Sequence, residues 1–293
     1  MNRLLQRLEE KKVLVADGAT GTNLQKVGLG GGMHAEDWVL DFPEKILNLE
    51  KAFVAAGSDI ILTCTFGATR MRLKGARHPD EAALINRRAA ALACEAASAA
   101  GALVAGSMGP LGQLLKPYGP VIPEEARAAF SEQARALAEG GVDFFLIETH
   151  FAFEEATAAF EAVRSVTDLP IVVSFSYDRG TRTMMGAKPA DVVKRYKQMG
   201  ATLVGANCGT TLENMETIIG EYAKTEPGFP LWAKPNAGLP RMENNQAVYD
   251  VKPEKMAEFA KKYVAFGARV VGGCCGSTPE HIEAIAKAVY SDS

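Results

Sequence analysis

Three cysteines lie where a parallel α/β fold would place its chemistry. Cys274 and Cys275 are adjacent in Gly272-Gly-Cys-Cys-Gly276, and Cys208 lies in Gly205-Ala-Asn-Cys-Gly209. A short apolar run precedes both segments, as at the end of a buried strand. Three thiolates with a fourth position left open can form a zinc site that takes an exchangeable ligand. The pattern predicts such a site if the two strand ends converge.

Two other interpretations of these cysteines stay open. Adjacent ligands are unusual because neighbouring side chains on an extended strand point apart, although Gly272, Gly273 and Gly276 give the backbone freedom to turn both sulfurs inward. Small buried cysteines could instead fill space. A redox-active disulfide between Cys274 and Cys275 is the other alternative, with a strained eight-membered ring.

The elements that must position these residues form a regular series. Short β-branched runs alternate with helical patterns, which is typical of parallel βα repeats. Strands are predicted at 13–16, 59–63, 102–107, 143–148, 171–175, 202–207, 231–234 and 269–272, and helices at 44–56, 80–100, 124–139, 154–166, 190–199, 212–224, 254–266 and 280–290. Eight such pairs predict a (β/α)₈ TIM barrel rather than an open doubly wound sheet, which usually has fewer strands. No linker-like segment divides the chain, so we expect one domain over residues 1–293.

Composition narrows the class of protein. The 47% hydrophobic and 23% charged residues describe a globular protein with an ample core. A formal net charge of −3 gives no basic footprint for nucleic acid. No apolar run is long enough to span a membrane, and the amphipathic, charged first ten residues lack the apolar core of a signal peptide. We therefore expect a cytoplasmic protein, in which five cysteines serve metal or thiol chemistry rather than a disulfide framework.

Catalytic residues of a TIM barrel lie at the carboxyl ends of its strands. The polar and sulfur-bearing residues predicted at those ends are Asp17, Thr63, Cys64, Thr65, Ser107, Glu148, His150, Ser174, Ser176, Asn207, Cys208, Asn236, Cys274 and Cys275. We expect them to share one face of the barrel.

Several of these segments resemble one family along essentially the whole chain. Asp17-Gly-Ala-Thr-Gly-Thr22, Gly205-Ala-Asn-Cys208 and Gly272-Gly-Cys-Cys-Gly-Ser-Thr-Pro-Glu-His-Ile282 are similar to blocks of homocysteine S-methyltransferase domains. Thr63-Cys-Thr-Phe-Gly-Ala68 and Lys234-Pro-Asn-Ala-Gly238 match further blocks in the same order. Within this family, the chain resembles the homocysteine-binding N-terminal module of cobalamin-dependent methionine synthase.

The resemblance implies a zinc-dependent S-methyltransferase on a (β/α)₈ barrel. Zinc would be held by Cys208, Cys274 and Cys275, with a small-molecule thiol such as homocysteine as the fourth ligand. Asp17 and Glu148 would hold the amino group of that substrate. The backbone amides of Gly18, Ala19 and Thr20 would contact its carboxylate, and Asn236 would shape the pocket. An Asx turn at Asp17 and a turn role for Asn236 are the structural alternatives.

The chain departs from common family residues at Cys64, Ala152 and Lys234, so the substrate's identity stays open. Cys64 either fills space or approaches the metal. His150 is interpreted as a hydrogen-bond partner or a surface loop residue rather than a general base.

The methyl donor is expected to come from outside this chain, since no corrinoid-binding or folate-binding segment is recognisable in it; a fragment of a longer enzyme would look the same. The donor would be a small sulfonium or methylcobalamin on a separate corrinoid protein. The alternatives are the methyltransferase of a corrinoid-dependent demethylation system, which takes methyl groups from another substrate, and a non-catalytic zinc- or thiol-binding barrel within a complex.

Overall fold

A computed structural model describes residues 2–243 and 246–291. Its barrel strands are β1 (Leu14–Val15), β2 (Ile60–Leu62), β3 (Leu103–Met108), β4 (Phe144–His150), β5 (Ile171–Phe175), β6 (Leu203–Asn207), β7 (Leu231–Lys234) and β10 (Ala268–Val271). Between β7 and β10 an antiparallel hairpin is formed by β8 (Arg241–Glu243) and β9 (Gln246–Val248).

The helices lie between the strands. They are α1 (Arg3–Glu10), α2 (Gly21–Lys26), α3 (Trp38–Asp41), α4 (Pro43–Ala55), α5 (Ala82–Ser98), α6 (Pro123–Glu139), α7 (Phe153–Arg164), α8 (Pro189–Gln198), α9 (Leu212–Thr225), α10 (Pro253–Ala265) and α11 (Pro279–Tyr290). Five of them begin with proline, whose fixed φ suits the first turn and whose missing N–H is not needed there. Each predicted barrel strand and helix is confirmed within about two residues at either end.

The strands close into a barrel. Parallel pairing runs in the order β1-β10-β7-β6-β5-β4-β3-β2. A parallel bridge between Ala16 and Ile60 joins the first and last members, with the Asp17 amide donating to the Ile60 carbonyl at 2.9 Å. The predicted (β/α)₈ TIM barrel is therefore confirmed.

Alternating side chains divide the core into two parts. Inward residues from all eight strands form one cluster: Leu14, Ala16, Ile60, Leu62, Leu103, Ala105, Phe144, Leu146, Val172, Leu203, Trp232 and Val270. Outward residues pack against the helices in a larger cluster. Leu4 of α1 belongs to the inner cluster, and Arg3 pairs with Asp143 just before β4, so α1 closes the amino-terminal end of the barrel. The opposite, carboxyl-terminal end of the barrel is where TIM barrels carry their active sites.

No helix in the described part of the chain has the length and apolar character needed to cross a membrane.

Candidate metal centre and substrate pocket

Three cysteine sulfurs meet at the carboxyl-terminal mouth of the barrel. Cys208 directly follows β6, and Cys274 and Cys275 follow β10. Their ligand atoms all lie within 4.8 Å of one another, with Cys208 Sγ and Cys275 Sγ 3.6 Å apart. Tetrahedral zinc with Zn–S bonds of about 2.3 Å requires sulfurs roughly 3.8 Å apart. The three thiols thus have the donor set and spacing for a metal ion with one open position.

Local backbone geometry explains how the sulfurs converge. Cys208 has φ +56°, a left-handed conformation that non-glycine residues rarely adopt and that costs on the order of 1 kcal/mol. Its amide donates to the Lys234 carbonyl at 3.3 Å, and the Cys274 amide donates to the Pro235 carbonyl at 2.7 Å. Both cysteine segments are therefore anchored on the end of β7.

Gly276 leaves room for an aromatic ring beside the cysteines. At this residue φ is +80°, and a Cβ would lie 2.2 Å from the ring of Tyr249. Burial, and then the interaction with Cys275, raises the pKa of the Tyr249 hydroxyl. The segment after the β8–β9 hairpin is thereby linked to the sulfur cluster.

The protonation states of the thiols are linked. Hydrogen bonds from Cys208 and then Cys274 lower the pKa of Cys275 to about 3. Hydrogen bonds with Cys274 and then with Cys275 raise the pKa of Cys208 well above its usual range, and burial raises it further. The pKa of each thiol therefore depends on the protonation of the other two. A bound cation would release the remaining thiol protons.

The inward side chains nearest the mouth of the barrel form a polar layer. They follow the apolar core because inward and outward side chains keep alternating to the ends of the strands. Five inward residues follow the apolar ones on β3 to β7 and are all buried: Ser107, Glu148, Ser174, Asn207 and Lys234. Buried polar residues at this level provide the groups that a substrate can contact.

Glu148 is a buried carboxylate in this layer. Ser107 Oγ donates to its Oε1 at 2.5 Å. Burial raises the pKa of Glu148 to about 7, although Lys234 opposes the rise. Glu148 therefore changes charge near neutral pH.

Asp17 has both carboxylate oxygens engaged. Lys234 Nζ donates to Oδ1 at 2.6 Å, and the Leu62 amide donates to Oδ2 at 2.7 Å. Burial raises the pKa of Asp17, Lys234 lowers it, and the two hydrogen bonds favour the ionised form. Burial alone would lower the pKa of Lys234, but Asp17 and Glu148 raise it. Asp17 is thus an ion-pair partner of Lys234, not the centre of an Asx turn.

The Gly18–Ala19–Thr20 segment packs on the second cysteine turn. The Ala19 amide donates to the Ser277 carbonyl at 3.3 Å. A Cβ on Gly18 would lie 2.7 Å from the ring of Phe53, so only glycine fits. Thr20 directly precedes α2. The segment borders the site, but the amide of Ala19 is already in use.

Asn236 carries an unused acceptor. The residue is 6% exposed, and its Oδ1 has no hydrogen-bond partner among the described residues. It lies beside the cysteine turn, since the Cys274 amide bonds to Pro235 and the Ala237 amide to Cys275. A buried acceptor without a partner is rare in a folded protein, so a donor on a ligand is the natural complement.

Asn207 connects three strand ends to the sulfur cluster. Its Oδ1 accepts from the Ser174 hydroxyl at 2.6 Å and the Thr149 amide at 3.0 Å. Its Nδ2 donates to Thr149 Oγ1 at 2.7 Å and to Cys274 Sγ at 3.7 Å.

Three residues of the site were not assigned a role from the sequence. Asn207 was predicted at a strand end, without a function. Lys234 was known only as a departure from the family, and Tyr249 was missed.

The prediction that His150 could be a surface loop residue is wrong, because this side chain is fully buried. Period-two alternation puts it on the face of Glu148, but Thr149 has φ +62° and the β4–β5 register shifts between Ile147 and His150. The ring therefore faces Phe130 of α6, and Nδ1 lies 4.0 Å from the Glu155 carboxylate. Burial lowers its pKa to about 3.

Cys64 lies apart from the three cysteines. It belongs to an apolar cluster with Leu24 and Trp38. Burial first, and then Glu36 and Glu50, raise its pKa well above the usual thiol range. Of the two interpretations of Cys64, space filling agrees with the structure.

The sequence model of homocysteine S-methyltransferase matches residues 14–289. The methionine synthases of Mycobacterium leprae and Mycobacterium tuberculosis are 29% and 28% identical, over 98% and 95% of this chain. The chain spans about a quarter of the length of each of these relatives.

Solved structures show the same architecture. The metallated form of the homocysteine methyltransferase MmuM from Escherichia coli is 25% identical, with a TM-score of 0.83 over 97% of this chain and 99% of that one. A methyltransferase from Methanosarcina mazei, 14% identical with a TM-score of 0.60, covers 99% of this chain and 98% of that one and shares the fold. Since the family match covers nearly all of the sequence, this chain belongs to the homocysteine S-methyltransferase family.

Proposed function

We propose that this protein is a zinc-dependent S-methyltransferase that methylates a thiol, homocysteine, to give methionine. The observation that carries the proposal is the group of three cysteine sulfurs within 4.8 Å of one another at the mouth of the barrel. A zinc ion held by these three sulfurs would have room for the substrate sulfur as its fourth ligand. Family membership makes homocysteine the first substrate to test.

The chemistry requires a thiolate at neutral pH. A free thiol has a pKa of about 8.5, and zinc held by Cys208, Cys274 and Cys275 would lower that pKa and orient the sulfur. Asn207 would support the site by donating to Cys274 Sγ, and Tyr249 by donating to Cys275. In the transfer a new S–CH₃ bond forms while the bond between the methyl group and its donor breaks.

The pocket residues would hold the rest of the amino acid. Glu148 and the unused Oδ1 of Asn236 are acceptors for the substrate ammonium. Asp17 would act through Lys234, because its oxygens already have partners. Gly18, Ala19 and Thr20 would border the bound substrate. This assignment modifies the expectation that Asp17 contacts the amino group directly.

Zinc content tests the ligand assignment. We expect the wild type and Cys94→Ala to retain about one zinc per chain, because Cys94 lies on α5 and its Sγ is near the carbonyls of Gly140 and Gly141. Cys208→Ala should lose most of its zinc, since two thiolates rarely hold this ion. Full zinc retention in Cys208→Ala would overturn the assignment.

Methyl transfer tests the activity and identifies the donor. Zinc-loaded protein is incubated with homocysteine and either methylcobalamin or a small sulfonium, and methionine is measured. Turnover with methylcobalamin supports a corrinoid donor, and turnover with the sulfonium supports a small-molecule donor. Tight zinc with no turnover from either donor would favour the non-catalytic barrel. Methyl transfer from another methylated substrate to a corrinoid would favour the demethylation system.

A further inference from the structure

Lys234 is a buried cation in the layer of side chains next to the sulfur cluster. It ends β7, pairs in register with Asn207, and follows Trp232 on the inward face. Its side chain is 2% exposed, and its carbonyl accepts the amide of Cys208. Lys234 and Cys274 also influence each other's pKa through charge, so the ammonium lies within electrostatic range of the sulfur cluster.

The hydrogen bonds of Lys234 leave donors unused. An ammonium carries three N–H groups. Within the described residues its side chain makes one hydrogen bond, to Asp17 Oδ1 at 2.6 Å. Glu148 and Cys274 interact with it only through charge. A buried ammonium with free donors is stabilised by an anionic acceptor, and substrate binding can supply one.

The ion pair between Lys234 and Asp17 reduces the number of hydrogen-bond acceptors that the pocket has for a substrate amino group. Both Asp17 oxygens have donors, from Lys234 and Leu62. Glu148, which already accepts from Ser107, is partly protonated near neutral pH because burial raises its pKa to about 7. Asn236 adds an acceptor without a partner among the described residues, its uncharged Oδ1. A hydrogen bond from an ammonium to this uncharged oxygen lacks the charge–charge attraction that a carboxylate would add.

We propose that Lys234 is a specificity-determining residue that binds the carboxylate of the thiol substrate. Binding then depends more on that carboxylate than on the amino group. The substrate class is a mercapto-carboxylate with two or three carbons between sulfur and carboxylate, of which homocysteine is one member. This inference rests on the proposed thiol-binding function.

Three thiols of similar length distinguish the contribution of the substrate carboxylate to binding from that of the amino group. Zinc-loaded wild-type protein is titrated calorimetrically at pH 7.5 with homocysteine, 4-mercaptobutanoate, which lacks the amino group, and 3-aminopropanethiol, which lacks the carboxylate. We expect 4-mercaptobutanoate to bind within about threefold of homocysteine. 3-Aminopropanethiol should bind at least about tenfold more weakly, the size of one charged hydrogen bond. Thiolate absorption bands of the cobalt-substituted protein report whether each sulfur reaches the metal.

Replacing Lys234 tests whether its side chain is responsible for the preference for a carboxylate. Lys234→Met should weaken 4-mercaptobutanoate at least about tenfold and should not weaken 3-aminopropanethiol, because it removes the ion pair that occupies Asp17 Oδ1. Lys287→Met, on the exposed face of α11, is the matched control and should keep the wild-type order. If Lys234→Met does not fold, the wild-type order alone decides.

The outcomes separate this inference from the proposed function. If 3-aminopropanethiol binds as tightly as 4-mercaptobutanoate or more tightly, thiol binding stands and the role of Lys234 is overturned. If none of the three thiols binds, the proposed function is overturned and the inference with it.

Discussion

Charge at the mouth of this barrel is controlled by individual buried residues. Glu148 is the clearest case, because burial brings its pKa to about 7, where it can change state under ordinary conditions. Its ionised form attracts a substrate ammonium, and its protonated form does not. The pH dependence of substrate binding should therefore include a contribution from this carboxyl group.

Replacing Glu148 by glutamine tests that role. In the wild type, protonation of Glu148 should add about threefold to the KM for homocysteine as pH falls below about 7, because the protonated acid cannot hold the ammonium. Glu148→Gln should have a KM raised about threefold at pH 8 and should lack this additional rise on acidification. Steady-state kinetics from pH 5.5 to 8.5 measure both effects.

Glu155→Gln is the matched control, since burial also raises the pKa of Glu155 to about 7 but its partner is the Leu111 amide, away from the sulfurs. It should keep the wild-type dependence of KM on pH. The same pH dependence in Glu148→Gln would show that another group is responsible.

A second prediction at this scale concerns Gly276. Gly276→Ala should destabilise the protein by about 3 kcal/mol and lower its zinc affinity, because the methyl group would collide with Tyr249 at a left-handed residue. Gly228 has a similar φ of +78° with nothing within 4 Å of a Cβ. Gly228→Ala should cost only about 1 kcal/mol and leave zinc unchanged. Urea unfolding and zinc titration compare them, and equal effects would contradict the proposed role of the ring.

Single residues also show where sequence reasoning ended. Cys208, Cys274 and Cys275 could be found because strand-end position and glycine spacing indicate them. The pairing of Lys234 with Asp17 joins residues 217 positions apart and depends on how the barrel closes. No local pattern encodes which side chains face each other across its mouth.

At the scale of elements, the strands and the main helices were predictable because β-branched runs and proline-initiated helices are local features. The β8–β9 hairpin was missed because β8 is exposed along its length and shows no alternation. The end of β4 was predicted with the wrong orientation for His150. Regular alternation fails there because Thr149 adopts φ +62°, a conformation held by tertiary contacts with Asn207.

Asn207 connects the ends of β4, β5 and β6, and its removal tests this junction. Asn207→Ala should cost about 2–4 kcal/mol, because the amide of Thr149 loses a buried acceptor, and should weaken zinc binding about tenfold through the lost bond to Cys274. Asn86→Ala is the control. Asn86 is equally buried and bonds to the carbonyls of Ala68 and Ala82, so it should lower stability but not zinc affinity. Unfolding and competitive zinc titration would separate the effects, and unchanged zinc affinity in Asn207→Ala would contradict this role.

At the scale of the whole molecule, one end of the barrel is closed by a helix and the other carries the candidate site. Helix α1 closes the amino-terminal end, where Arg3 and Arg269 bond to the surrounding segments. The opposite end carries the polar layer and the sulfurs. The stability of the whole barrel nevertheless depends on buried ionisable groups outside the site, of which His150 is the clearest.

His150 should make the protein sensitive to acid. Its pKa is about 3 in the folded state and about 6.5 when unfolded, so below pH 6.5 only the unfolded chain gains this proton. Its contribution is complete above pH 6.5 and falls by about 1.4 kcal/mol per unit as pH drops towards 3.

The metal-free protein is the appropriate sample, because metal binding is itself pH-dependent. In His150→Phe the slope of the unfolding free energy between pH 4.5 and 6.5 should be smaller by about 1.4 kcal/mol per unit. Parallel slopes for His150→Phe and the wild type would contradict the account.

The coordination sphere of the metal is the most direct test of the central claim. X-ray absorption at the zinc edge should show three sulfur ligands and one lighter ligand in the protein alone, and four sulfurs after homocysteine is added. Fewer than three sulfurs in the protein alone, or an unchanged spectrum with saturating homocysteine, would contradict it.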